Sequence, residues 1–481
     1  MFVPAFTLAG GLACSDSSEP SSVPDARGDA MAEVDGSHID AAPDTLADAS
    51  SDATAPPASR LVDRVVFDND EGFEHLNIEV SPNFRWATLN RRNQTSLALH
   101  PVLFAIDERG ELVPRCEWEE LSVKLNSSFQ VGERQGKTFA VALEERGEEF
   151  IVIRPTDTGD CASMLELVPV RGFPLGFDYR ELLNPYPVRG TDSDAWWVAF
   201  HRHDSANGEE TVYVVDVGTD EPGFAFEAWG DRPPGGRFGT FVSVARWAAG
   251  EDWFLSGRWT TRPLAVQAAI TEVHVNGTAT TRFATEDEGT KADVFPFIYR
   301  GESYFLAAVG GSSSGTLFAR QDGEFRPLGS VPFDPEQTTV PSAPEGETGA
   351  AISYETFEWG DALYTSYQVS NDLDRGPGCR GPHCTSNELW VARFAEDSEG
   401  RLTGVAATCR VSAPAEGDFR GKIDPEPVVF DGGARIYYQR SDLTRRSQRP
   451  GMQLAMVDLG PQAAFDLACD EGRAAPDLAA R

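Results

Sequence analysis

The stretch Lys422–Leu459, KIDPEPVVFDGGARIYYQRSDLTRRSQRPGMQLAMVDL, decides the fold. Its short apolar runs are separated first by Asp431-Gly432-Gly433 and then by a polar loop rich in Arg and Ser. Asp-Gly and Gly-Gly supply the positive φ that a tight hairpin needs. The stretch therefore predicts a β-meander with strands over Pro427–Phe430, Arg435–Gln439 and Gln453–Leu459.

Looser copies of this meander recur upstream. The second strand of each copy centres on an aromatic residue: Trp86, Phe139, Trp197, Phe254, Phe305, Tyr364 and Tyr437. Successive centres lie 53, 58, 57, 51, 59 and 73 residues apart. Repeated small antiparallel sheets at such a spacing are typical of a β-propeller with long loops. The sequence thus predicts an all-β propeller of about seven four-stranded blades after a disordered N-terminal tether.

The strands also differ from those of a half-exposed sheet. Ala195–Phe200 and Tyr304–Val309 are continuous apolar runs, which indicate strands covered on both faces, as in stacked blades. Six blades, or two consecutive β-sandwiches, are the alternatives. Leu61–Phe67 precedes the first copy, and we expect it to complete the last blade and close the ring.

The segment before the repeats has a composition of its own. An apolar leader ends in Gly11-Leu12-Ala13-Cys14, and Ser15–Ser59 holds ten Ala, nine Ser, eight Asp and five Pro. Such a segment buries too little apolar surface to offset its chain entropy, so we expect it to be disordered. The predicted organisation is a leader over 1–14, an acidic tether over 15–59 and a propeller domain over 60–481.

This opening resembles bacterial lipoproteins of the myxobacterial type, in which small residues precede an acylated Cys and an Asp/Ala/Pro/Ser segment follows. The resemblance implies a signal peptide, export, lipidation at Cys14 and anchoring to a membrane of the cell envelope. Ser15 rather than Asp follows the Cys. By the enterobacterial sorting pattern, that residue implies the outer membrane.

The sequence contains 7 Cys, and setting Cys14 aside leaves an even number for disulfides in an exported protein. Their positions in the repeat predict three bridges: Cys116–Cys161, Cys409–Cys469 and Cys379–Cys384. The first two would join neighbouring blades, and the third would close a short loop. Zinc binding by Cys379, His383 and Cys384 is the alternative, although the sequence offers no second ligand pair at zinc spacing.

Two further groups are candidates for metal binding. His201 and His203 lie two residues apart at a strand end and so share one face, which suits chelation as well as plain polar surface. Asp372 and Asp374 belong to a segment similar to a calcium loop, but without the EF-hand spacing. No cofactor is expected, and calcium is the open alternative.

The candidate catalytic residues are carboxylates: Asp424 and Glu426 in IDPEPVVF, and Asp293, which begins the similar run DVFPFI. The first segment resembles the Asp-Pro strand of propeller glycoside hydrolases, which implies a carboxylate pointing into a central pocket and working with a second one. The clearest Asp-Pro unit comes last rather than first, and no residue matches the general acid. The same pattern is similar to non-enzymatic TolB-type repeats, which implies structural or ligand-binding carboxylates.

Charge narrows the possible partners. The net charge of −35 disfavours nucleic acid and suits cationic ligands or divalent metals. The leading hypothesis is an exported, membrane-anchored lipoprotein whose propeller binds an extracytoplasmic protein or glycan and has no catalytic set. The alternative is a carbohydrate-active enzyme, a glycoside hydrolase that uses Asp424 with another central carboxylate.

Overall fold

The computed structural model describes residues 63–66, 73–124, 129–134, 137–146, 148–170, 179–186, 196–204, 209–217, 224–227, 240–244, 253–262, 265–274, 278–284, 292–308, 315–331, 350–375, 385–412, 421–443 and 452–470. Over most of residues 179–268 the description covers the backbone alone. The chain divides into two units, Met1–Ala55 and Pro56–Arg481, and all the described residues belong to the second.

The described residues form seven sheets of four strands each, which we call blades 1 to 7. The chain enters through β1 (Arg64–Val65). Blade 1 contains β2 (Phe73–Val80), β3 (Trp86–Asn93), β4 (Leu99–Ile106) and β5 (Leu112–Glu117). Blade 2 contains β6 (Gln130–Arg134), β7 (Lys137–Leu143), β8 (Glu149–Ile153) and β9 (Leu165–Pro169). Blade 3 contains β10 (Tyr179–Tyr186), β11 (Trp196–Asp204), β12 (Glu209–Val217) and β13 (Phe224–Glu227).

Blade 4 contains β14 (Thr240–Val244), β15 (Trp253–Arg262), β16 (Ala265–His274) and β17 (Ala279–Ala284). Blade 5 contains β18 (Ala292–Tyr299), β19 (Glu302–Ala308), β20 (Gly315–Gln321) and β21 (Glu324–Val331). Blade 6 contains β22 (Ala350–Trp359), β23 (Ala362–Arg375), β24 (Thr385–Glu396) and β25 (Leu402–Arg410). Blade 7 contains β26 (Gly421–Phe430), β27 (Gly433–Ser441) and β28 (Met452–Gly460) together with β1, and α1 (Gln462–Asp470) follows.

Within each of blades 1 to 6, consecutive strands pair antiparallel, so the chain runs as a meander. The predicted meander in blade 7 is confirmed, and Phe430 pairs with Gly433 across the Asp-Gly turn. All seven predicted aromatic centres lie in the second strand of their blade. These strands were readable because burial on both faces demands an uninterrupted apolar run.

The first strands of the sheets form a closed ring. Each contacts the first strand of the next blade, and β26 contacts β2. This cyclic arrangement of four-stranded meanders is a β-propeller of seven blades, as the sequence predicted. The first strands consequently surround the centre of the ring, and residues that leave them toward the centre share one channel.

Both ends of the repeat region meet in blade 7, which closes the ring. Arg64 pairs with Met456 and Val65 with Ala455, so β1 is the outermost strand of that blade and the predicted closing role is confirmed. Just before β1, Asp63 forms a salt bridge of 2.7 Å with Lys422 of β26, whose side chain is only 1% exposed. A buried ion pair therefore fixes the entering chain to the innermost strand of the same blade.

The core consists of layers between neighbouring blades. Between blades 7 and 1, for example, Ile78 packs with Val428, Tyr437 and Met456. Comparable layers join blades 1 and 2, 4 and 5, 5 and 6, and 6 and 7. Burying one large apolar side chain contributes roughly 1.5–3 kcal/mol, so each layer holds its pair of blades strongly.

Two of the three predicted disulfides fall within the described residues, and both are confirmed. Cys116–Cys161 joins blades 1 and 2. Cys116 lies in β5, the last strand of blade 1. Cys409–Cys469 has the predicted pairing, but it joins β25 of blade 6 to α1 rather than to a strand of blade 7, which corrects the expectation that it links two blades. The pair Cys379–Cys384 lies outside the described residues, as do Cys14 and the acidic tether.

The C-terminal helix α1 was not predicted, because nine residues are too short to establish a helical period. It rests on blade 6, where Tyr364 donates a hydrogen bond of 2.9 Å to Asp466 and Arg393 forms a salt bridge of 2.8 Å with Asp470. No helix among the described residues has the length and apolarity needed to cross a membrane.

One predicted loop is a strand. The backbone of Asn371–Arg375 continues β23, and Arg375 pairs with Thr385 of β24 across a register shift that begins at Asn371. Asp372 and Asp374 therefore lie within a bulged strand rather than a free loop, because the hairpin between β23 and β24 extends beyond the apolar core that the sequence pattern marked.

Candidate functional site in the central channel

A four-residue unit recurs in the first strands of blades 1, 6 and 7, which are consecutive in the ring. It reads apolar, polar, any residue, Glu: LNIE at 76–79, ISYE at 352–355 and IDPE at 423–426. In every copy the polar residue has a positive φ, namely 51° at Asn77, 54° at Ser353 and 60° at Asp424. In every copy the pairing with the second strand shifts register across the unit.

The unit is therefore a β-bulge that turns the following Glu out of the regular alternation of the strand. Residues other than Gly rarely adopt positive φ, and a non-Gly residue held there stores backbone strain. Asn and Asp tolerate this conformation better than most side chains, whereas Ser353 has no such advantage. The register shift itself is shared with blade 3, between Leu182 and Pro185, so what blades 1, 6 and 7 have in common is the shift together with the Glu that follows it.

Amide side chains of the second strands lie behind the bulges. Asn90, Gln368 and Gln439 pair with the apolar residue that opens each unit. The amide oxygen of Gln368 accepts a hydrogen bond of 3.2 Å from the backbone N–H of Asp424, so blade 6 supports the bulge of blade 7. The Nε2 of Gln439 donates a bond of 2.8 Å to Oδ2 of Asp424.

The bulges bring together Glu79, Glu355, Asp424 and Glu426, which we call the carboxylate cluster. Glu426 is 7% exposed and reaches blade 1, where its Oε2 accepts a bond of 3.4 Å from the backbone N–H of Val80. The other three carboxylates are partly exposed, as suits side chains that line a narrow channel. On the side of blade 2, Gln130 approaches Glu79 at 3.5 Å.

Two carboxyl groups of the cluster have raised pKa values. Burial raises the pKa of Glu79 well above its ordinary value, and the charges of Asp424 and Glu355 raise it further. Burial likewise raises the pKa of Glu426, helped by Glu355, Glu79 and Asp424, and opposed by the Val80 N–H. Both carboxyls thus hold their protons in a pH range where an exposed Glu is ionised.

One further polar atom at the cluster has an unmet hydrogen bond. Gln439 is 1% exposed, and its Oε1 accepts no hydrogen bond within the described part of the chain. The other end of the same amide touches Asp424. A buried amide oxygen without a donor among the described residues is costly to folding.

The predicted carboxylates divide into two groups. Asp424 and Glu426 belong to the cluster, whereas Asp293 lies in β18 of blade 5 with its side chain outside the described atoms. The sequence reasoning missed Glu79 and Glu355. The spacing from an apolar residue through Asn, Ser or Asp to Glu becomes a signal only after the first strands are aligned, because the same spacing also occurs at Phe333–Glu336.

The predicted metal ligands stay untested. His201 and His203 lie in β11, opposite Val212 and Glu210, and the structure describes only their backbone. The side chains of Asp372 and Asp374 are likewise outside the description, and Cys379, His383 and Cys384 lie outside it altogether. Among the described residues, no group of three or more His, Cys, Asp and Glu side chains is placed to hold one metal ion.

Comparisons with known proteins show likenesses of shape alone. No known family and no curated protein matches the chain. Among solved structures, the WD40 domain of Toxoplasma gondii coronin is similar with a TM-score of 0.46 and 11% identity, over 85% of this chain and 88% of that one. An exo-1,5-alpha-L-arabinanase from a bovine ruminal metagenomic library gives a TM-score of 0.31 and 11% identity, over 59% and 95% of the two chains.

Proposed function

We propose that this protein is a binding module that holds its ligand in the central channel, on the carboxylate cluster. The convergence of Glu79, Glu355, Asp424 and Glu426 from three neighbouring first strands carries this proposal. A purely structural ring has no need to bury like charges beside one another, since their repulsion and desolvation oppose folding. Binding sites are where proteins retain such unfavourable arrangements.

We further propose that the module is exported and anchored to a membrane of the cell envelope through a lipid on Cys14. The small residues before Cys14 and the acidic composition of Ser15–Ser59 support this address. A chain of that length, without a core of its own, would hold the propeller at a distance from the membrane surface. The channel would then face soluble extracytoplasmic ligands.

Glycoside hydrolysis is the second candidate function, and the ionisation of Glu426 favours it. A glycosidase needs one carboxyl that stays protonated as an acid and a second, ionised carboxylate nearby. The raised pKa of Glu426 and the closeness of Asp424 supply the elements of such a pair. The partial exposure of Asp424 gives a substrate access to one member of it.

A binding screen with the purified full chain tests the first proposal. The probes are a glycan array, a set of basic and acidic peptides, and small organic cations. The screen compares the natural protein with Glu426→Gln and with Glu119→Gln, a substitution on the exposed surface. We expect a ligand whose affinity falls about tenfold or more in Glu426→Gln, which corresponds to one lost charge-assisted contact, and is unchanged in Glu119→Gln.

Binding that is equal in all three proteins would place the ligand elsewhere and overturn the proposal. Hydrolysis of chromogenic glycosides by the natural protein, lost in Asp424→Asn and in Glu426→Gln, would establish the second candidate instead. In that case the pH profile of hydrolysis should show a basic limb from Glu426, as expected for a general acid with a raised pKa.

A further inference from the structure

Resting on the proposed function, we infer that the ligand of the carboxylate cluster is an organic cation with several protonated amino or guanidinium groups. The inference concerns the chemistry of the channel wall, which the proposed binding role leaves open. It stands on the kinds of atom that face the ligand and on their distribution among blades.

The wall around the cluster offers hydrogen-bond acceptors. Carboxylate oxygens only accept hydrogen bonds, and a cation bound beside Glu79 and Glu426 would favour loss of the protons that their raised pKa values retain. The buried Oε1 of Gln439 adds another acceptor, and it is without a donor among the described residues. Its orientation follows from Asp424, because the carboxylate requires the NH₂ end of the amide to face it. A ligand that bonds to these acceptors must donate hydrogen bonds.

The acceptors are distributed over a larger area than one small donor covers. Glu79 belongs to β2, Glu355 to β22, and Asp424 and Glu426 to β26, so they enter from three blades. An ammonium group has three donors and a guanidinium group five, and charge-assisted bonds from either to carboxylates are the strong class. A molecule with several ammonium or guanidinium groups could therefore contact the carboxylates of all three bulges at once.

Charge complementarity also favours a cationic ligand. The nearby charges that raise the pKa of Glu79 and of Glu426 are all carboxylates. The protein as a whole carries a net charge of −35, which attracts cations toward the channel. A neutral sugar would leave the mutual repulsion of the cluster in place, whereas a polyamine or an arginine-rich peptide removes it.

Isothermal titration calorimetry with the full chain tests this inference. The probes are spermidine as organic cation, CaCl₂ as metal ion and maltotriose as neutral polyol, each at physiological ionic strength. We expect spermidine to bind to the natural protein at one site. We also expect its affinity to fall about tenfold in Glu355→Gln and in Gln439→Leu, each of which removes one donor–acceptor contact. Glu119→Gln, on the exposed surface, should leave it unchanged.

The variants carry an internal control for folding. A thermal midpoint close to that of the natural protein shows that a variant is folded, and Gln439→Asn replaces Gln439→Leu if the latter fails to fold. Gln439→Asn shortens the amide and should weaken spermidine binding as well.

The outcomes separate the inference from the function on which it rests. If only CaCl₂ or only maltotriose binds, and the cluster variants weaken that binding, the organic cation is wrong and the binding channel stands. If spermidine binds equally to the natural protein and to every cluster variant, it associates with the acidic surface, and the inference is wrong. If the affinity of every ligand found, in this titration and in the broader screen, is the same for the natural protein and the cluster variants, the proposed function is also wrong.

Discussion

Replacing Glu426 with Gln should make the stability of the propeller less sensitive to rising pH. Burial, followed by the charges of Glu355, Glu79 and Asp424, raises the pKa of Glu426 in the folded protein. In the unfolded chain a glutamate titrates near about 4.3. Between these two pKa values the folded state keeps a proton that the unfolded state has lost, so the free energy of unfolding decreases as pH rises.

The size of the effect follows from the linkage relation. One such group changes the free energy of unfolding by about 1.4 kcal/mol for each pH unit inside the window. The contribution is complete below the unfolded pKa, and it is lost as pH rises to the folded pKa. The amide introduced by Glu426→Gln would keep the shape of the side chain and the acceptor for the Val80 N–H, but it cannot ionise. The variant should therefore show a slope shallower by up to about 1.4 kcal/mol per pH unit.

Urea denaturation between about pH 5 and about pH 8 measures this slope, because the window lies above the unfolded pKa. Glu119→Gln serves as the exposed control and should follow the natural protein. Glu272 does not interfere: although burial opposes it, the Arg282 hydrogen bond and the Arg320 charge lower its pKa. Its contribution is lost only at more acidic pH. Parallel curves for the natural protein and Glu426→Gln would refute the buried, mutually repelling cluster.

Three further predictions concern the frame around the site. A chain that begins at Ser59 should fold, and one that begins at Asn69 should have a clearly lower thermal midpoint because it lacks β1; equal midpoints would contradict ring closure by that strand. Cys161→Ser and Cys469→Ser should each cost about 4 kcal/mol in the chain-entropy model, since the closed loops span separations of 45 and 60 residues; urea denaturation measures both, and unchanged stability would contradict the model. Cys14→Ser should move the protein from the membrane to the soluble fraction, and fractionation that leaves it membrane-bound would exclude the lipid anchor.

The blade pattern was predictable because a strand that is buried on both faces consists of consecutive apolar residues. Continuous runs such as those around Phe139 and Phe305 have no polar residue to interrupt them, and turn residues bound each run. The two confirmed disulfides were predictable for a related reason. Once the blades are numbered, cysteines at late positions of adjacent repeats lie on neighbouring rims, and few pairings remain.

The site was only half predictable. Asp424 and Glu426 were found because their segment resembles the Asp-Pro strand of propeller glycoside hydrolases, whereas the segments that hold Glu79 and Glu355 have no such resemblance. What unites the four is a bulge with positive φ, and no residue type there demands that conformation. Ser353 in particular has no intrinsic preference for positive φ. Tertiary packing therefore imposes the bulge, and the bulge cannot be predicted from the sequence pattern alone.

The cluster lies beside the seam at which both ends of the repeat region meet. Carboxylates on blades 6, 7 and 1 repel one another across the seam at which the chain ends meet. The same seam is held by β1, by the buried Lys422–Asp63 ion pair, and by the disulfide that fastens α1 to blade 6. Stability lost at the channel is thus compensated in the blades that form its wall.

This arrangement predicts that ligand binding should stabilise the folded protein. A cation that neutralises the cluster binds the folded ring but not the unfolded chain, whose carboxylates are far apart and hydrated. It must then raise the free energy of unfolding by RT ln(1 + [L]/Kd), or about 2.7 kcal/mol at a hundredfold excess over Kd. Because Gln at this position cannot ionise, Glu426→Gln avoids the loss of stability that Glu426 causes as pH rises. The variant should therefore be more stable than the natural protein above neutral pH without ligand, and it should gain less stability from the ligand. At a ligand site, Glu426→Gln should raise the thermal midpoint of the free protein and reduce the increase that the ligand produces. In a purely structural cluster, only the change in the free protein would occur.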